Sequence, residues 1–171
     1  MTRLTFLAAC GSMSLLSWPV TTRAQELTFA GTKFYRASQT PQRLAENYYR
    51  EGETRNAWTQ QLFVNVTPTP EDPQKIAQDL LAAARQQAPG SDPTIVQSGT
   101  DTWVSFTYRS LEGIGQVTIV QRIFRDPAGR VRTYALAQRP SNGTKPAPVL
   151  TPQQAMAALR MLPADLPRPG S

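Results

Sequence analysis

Four arginines crowd one stretch of this chain: Arg122, Arg125, Arg130 and Arg132, with Arg109 and Arg139 close by in sequence. A guanidinium grips a carboxylate or a phosphate at two points, so clustered arginines on one surface are a candidate contact for an acidic group. Arg130 and Arg132 are two apart and share a face of any strand that carries them. Arg122 joins that face if the neighbouring strand has the right register. The expected chemistry is the binding of an acidic protein, an anionic ligand or a lipid headgroup. The structural alternative is a solvated strand face whose charges discourage edge pairing.

A second candidate is the segment from Gly52 to Thr59, where Glu53, Thr54, Arg55 and Asn56 lead into Trp58. Arg55 and Trp58 would make a polar rim beside an aromatic contact surface. On the structural reading, the polar residues only shape a turn that seats Trp58 in the core. A third candidate is paired acids. Glu51 with Glu53, or Glu71 with Asp72, would serve a hydrolase that works with carboxylates alone, for instance on a cell-envelope glycan. Glu71 and Asp72 are already accounted for as the start of a helix.

Other chemistry is excluded by composition. The chain has no histidine and one cysteine, Cys10. Histidine is the usual base near neutral pH, thiolates need cysteine, and zinc sites draw mainly on both. Neither a Ser-His-Asp triad nor a Cys-His pair is available. No catalytic residue, metal ligand or cofactor is assigned.

Residues 1–24 read as a secretory signal: a basic start at Arg3, an apolar run over 4–20, then Thr22-Arg23-Ala24 before a cut at Gln25. The run is at the short end of the about 17–25 residues that span a bilayer. The alternative is lipidation at Cys10, which Leu7-Ala8-Ala9 precedes. Cleavage removes Arg3 and Arg23, leaving 16 Lys+Arg against 12 Asp+Glu. The expected location is the periplasm or the medium, which argues against a nucleic-acid partner.

These residues must be held by a fold. Leu27 to Tyr35 reads as a strand or hairpin, and 43–50 as a helical turn or strand. Trp58 to Val66 alternates with Trp58, Leu62, Val64 and Val66 on the core side. A helix starts at Thr69-Pro70-Glu71-Asp72, with Thr69 as cap, and stops at Pro89-Gly90. Trp103 to Tyr108, Val117 to Phe124 and Val131 to Gln138 form a three-strand meander, turned at Asp126-Pro127-Ala128-Gly129. Residues 140–171 hold a Pro-rich linker and a short helix opened by Thr151-Pro152-Gln153-Gln154. The expected class is α+β: an antiparallel sheet in 25–139 with one main helix on a face, the short C-terminal helix on that same face, and no internal repeat.

This order of strands, helix, meander and helix resembles the PsbP and DcrB group of small exported proteins. The segment from Gly52 to Thr59 resembles stretches of uncharacterised exported bacterial proteins. The resemblance implies an α+β fold and export. It carries no functional residue across. The expected function is therefore that of a non-catalytic envelope protein that binds a protein partner or serves a larger assembly.

Overall fold

The computed structural model describes residues 25–40, 44–67, 71–109, 115–140 and 149–166. The segment expected to be a signal (1–24), with Cys10, the expected cap Thr69, and 141–148 of the expected linker lie outside these residues. Eight strands run in chain order: β1 (Glu26–Phe29), β2 (Thr32–Gln39), β3 (Ala45–Arg50), β4 (Gln60–Thr67), β5 (Thr94–Ser98), β6 (Asp101–Arg109), β7 (Gln116–Arg125) and β8 (Val131–Gln138). Helix α1 (Pro73–Gln87) sits between β4 and β5, and α2 (Pro152–Arg160) follows β8.

All neighbours are antiparallel in one sheet of order β1-β2-β3-β4-β8-β7-β6-β5. The sequence shows no repeat, yet the topology doubles: each half is a four-strand meander followed by a helix. The last strands of the two halves, β4 and β8, meet at the centre. Because β4 is central and β5 is the far edge, the connection between them has to cross β8, β7 and β6. That crossing is why α1 packs on β5, β6 and β7.

Alternation divides the sheet into two faces. On one face, Val104, Phe106, Ile123 and Val131 pack against Ala77 and Ala84 of α1. On the other, Trp103, Val120, Phe124, Tyr134 and Leu136 pack against Ala155 and Leu159 of α2 and against Leu162 and Leu166 beyond it. The helices therefore cover opposite faces, not the single face expected from sequence. The α2 face holds the larger core, which runs from Phe29 and Phe34 at one end of the sheet to Trp103 near the other.

Local signals set the ends of the elements. Phe29 pairs with Thr32 across a two-residue turn in which Ala30 and Gly31 have φ of 48° and 75°. Positive φ at both positions is the hairpin turn whose twist matches the strands. Helix α1 begins later than its sequence suggested. Asp72 is the cap, its carboxylate accepting from the Gln74 N–H at 3.1 Å, and Pro73 takes the first helical turn. Helix α2 opens with the expected capping box between Thr151 and Gln154. Residues 45–50 form a strand, and β5 adds a fourth strand to the expected meander.

Candidate functional site

The arginine cluster does not form an open basic face. Arg122 and Arg132 lie on the face that α2 covers. Arg132 is fully buried, with its side chain at 0 % exposure. Its Nε donates to Asp126 Oδ2 at 2.7 Å and its Nη1 donates to the Leu166 carbonyl. Arg122 makes a two-point bond to Asp101 at 2.9 and 3.3 Å, and its Nη1 donates to the Leu159 carbonyl at 3.4 Å. Its guanidinium also lies 4.0 Å from the centre of the Phe124 ring. Neither side chain is presented to a partner, and Tyr134 on this face is buried with them. The reason is the C-terminal segment, which lies over the positions that a sheet alone would leave in water.

Arg130 precedes β8 and is exposed, with its Nε 2.9 Å from Asp126 Oδ2. Asp126 is the hub. Its carboxylate also accepts from the Ala128 and Arg130 N–H groups at 3.0 and 2.9 Å, closing the β7–β8 turn. Burial alone would push its pKa up, but the bonds from Arg132 and Arg130 outweigh this and hold it below its usual value.

The side chains on this face read the backbone of the segment they hold. The Gln138 amide clasps Leu150, accepting its N–H at 3.0 Å and donating to its carbonyl at 2.5 Å. The Tyr134 hydroxyl accepts the Leu166 N–H at 3.1 Å and has the Pro163 and Leu166 carbonyls as acceptors at 2.7 and 3.0 Å. Desolvation raises the Tyr134 pKa. A second buried group lies on β2 and β3, where Glu46, fully buried, accepts from Arg36 at 3.0 Å and from the Tyr48 hydroxyl. Burial, then the bond to Glu46, raises the Tyr48 pKa. Sequence reasoning missed Glu46 and Gln138. The available signal was weak: Glu46 shares its strand face with Tyr48, and Gln138 shares its face with Tyr134 and Leu136.

The acids proposed for catalysis are structural or exposed. Glu53 accepts from the Thr59 hydroxyl and from the Gln60 N–H at 3.4 Å, with Arg50 at 3.8 Å. Glu51 is exposed on the turn beside it, and Asp72 caps α1. Among the described residues no group of three or more His, Cys, Asp or Glu is placed to hold a metal. No described helix is long and apolar enough to cross a membrane.

What stays open to a partner is the end of the two central strands, where the loop into β4 and the exit of β8 meet in a corner. Trp58 is half-buried rather than a core residue, because it lies before β4 begins and the strand's alternation does not apply to it. Arg139 lies over its ring at 4.6 Å. Two bonds fix that arginine: its Nε donates to the Trp58 carbonyl, and its N–H donates to the Thr59 carbonyl at 2.9 Å. Arg55 is exposed in the same loop. Trp58 and Arg55 therefore share a corner, which Arg122, Arg130 and Arg132 do not join. An aromatic ring with one face under a guanidinium and part of its surface in water is a rigid, amphipathic contact.

No protein-family profile matches the chain, and no curated protein matches it.

Proposed function

We propose that this chain is an exported, non-catalytic protein of the cell envelope that acts by binding a protein partner, and that the partner meets the Trp58–Arg139 corner. The observation that carries this reading is the fixed stack of Arg139 on a half-buried Trp58, with exposed Arg55 in the same loop. Aromatic and arginine side chains held in place before binding lose little freedom when a partner arrives. The remaining candidate groups favour the same reading. Asp101, Asp126 and Glu46 are each bound to an arginine inside the fold. The likeness to the PsbP and DcrB group belongs to this proposal as a statement about topology.

The test is crosslinking in intact cells, followed by mass spectrometry of what the tagged chain retains. Wild type is expected to return one envelope protein reproducibly, Trp58→Ala to lose it, and Lys75→Ala on the exposed side of α1 to keep it. Recovery unchanged by Trp58→Ala would move the interface elsewhere. N-terminal sequencing of the exported chain is expected to begin at Gln25.

A further inference from the structure

We infer that β5 is a pairing edge for a second copy of this chain, joined antiparallel about Val96. The two edges of the sheet differ in kind. Strand β1 is four residues long, and Glu26 on it pairs with Lys33 at 2.9 Å, so charge guards that edge. Strand β5, Thr94-Ile95-Val96-Gln97-Ser98, has no charge, no proline and no bulge. Those are the devices that normally stop an edge from pairing. Val96 is 48 % exposed and Met161, just past α2, is 85 % exposed. Both lie toward the face of α2, since Val96 pairs with Trp103 and Arg160 reaches the Ser98 hydroxyl at 2.6 Å.

The register follows from the turn. Ser98 pairs with Asp101 across the two residues Gly99 and Thr100. Such a closing pair turns the N–H and C=O of Ser98, and by alternation those of Val96 and Thr94, toward β6. The same groups of Ile95 and Gln97 then face outward. A two-fold axis through Val96 sets Ile95 against Gln97 of the other copy, and Gln97 against its Ile95. Each pair exchanges two backbone bonds. Val96 meets Val96 in the close, non-hydrogen-bonded position.

Charge selects a second copy over an unrelated strand. Under this axis Ser98 faces Thr94 of the other copy. Arg160, which is bonded to Ser98 and, at 3.8 Å, shares the single Asp101 carboxylate with Arg122, is then one diagonal step from the other copy's exposed Asp92. Symmetry makes that attraction twice, as a closed two-fold dimer requires. The inference does not rest on the Trp58 corner, which lies at the end of the central strands β4 and β8, away from the β5 edge.

The full chain tests it. Sedimentation velocity is expected to show a dimer for wild type, loss of the dimer with Val96→Lys, and a weakened dimer with Asp92→Lys. Both substitutions are at exposed positions, and an unchanged melt separates lost pairing from lost folding. In a chain carrying Cys10→Ser, mild oxidation of Val96→Cys is expected to give a disulfide-linked dimer. Thr94→Cys is expected to give none, because its copy would lie about 13 Å away along the strand. A wild-type monomer at every concentration overturns the inference, whether or not Val96→Cys crosslinks. So does a dimer indifferent to Val96→Lys, or equal crosslinking at position 94.

Discussion

Arg132 and Asp126 meet at 2.7 Å with side chains 0 % and 1 % exposed, six residues apart across the β7–β8 turn. One carboxylate both closes the turn and neutralises a guanidinium that the C-terminal segment helps to bury completely. Removing Asp126 strands the Arg132 charge away from water with only the Leu166 carbonyl left to it, whereas Asp126 without Arg132 keeps its bonds from Arg130 and Ala128. Asp126→Ala is therefore expected to lower stability by about 3–5 kcal/mol. The apolar pair Asp126→Leu with Arg132→Met is expected to recover part of that loss. Urea unfolding of the three chains decides it, and an Asp126→Ala loss under about 1 kcal/mol would contradict the burial.

The same carboxylate sets an acid limit. Its folded pKa is depressed below 3.8, so the stability it contributes is present above that value. It is lost as pH falls through the folded value. Melting temperature is expected to hold near neutrality and to drop below about pH 4. In Asp126→Asn this part of the acid limb should be missing, although the variant starts from a lower plateau. At the alkaline end the sign reverses. Tyr48 and Tyr134 have raised pKa values, so their contribution is full below pH 10 and fades as pH rises beyond it. Phenolate absorbance from these two should appear late, with alkaline unfolding.

Trp103 and Trp58 separate core from corner. Trp103 is 1 % exposed, and Trp103→Ala should cost about 3–5 kcal/mol. Trp58 is half-buried, and its loss removes partial burial and one cation–π contact, together about 1–2 kcal/mol. Equal melting shifts for the two variants would contradict this placement.

How much of this was legible in the sequence depends on how local each signal is. Alternation in Leu62, Val64 and Val66 identified core-facing positions correctly, because a pleat imposes it whatever the neighbours are. Strand β5 carried no such pattern: four of its five residues are polar or exposed, as befits an edge. The cap of α1 moved from Thr69 to Asp72, since Pro70 and Pro73 both suit a first helical turn and local rules do not choose between them. The faces taken by the helices follow from the strand order, which no local window contains. The arginines misled for a related reason. Arg132 looked solvated because its cover, Leu166, lies 34 residues away.

Gln138 offers a test of how the C-terminal segment is attached. Its amide meets both backbone groups of Leu150 where that segment enters the fold. Gln138→Leu leaves an N–H and a carbonyl without their partners, at about 1–3 kcal/mol. Hydrogen exchange is expected to speed up in α2 and stay unchanged in α1. Uniform acceleration would mean that the clasp supports the whole molecule instead.

The larger core face has one further consequence, for the order of events during synthesis. Tyr134, Leu136, Val120 and Trp103 wait for Ala155, Leu159, Leu162 and Leu166. Every strand can have left the ribosome while that face is still wet. Its core closes only when the last of these leucines arrives, so the polypeptide remains unfinished, and open to whatever handles unfolded chains, until Leu166 has been made.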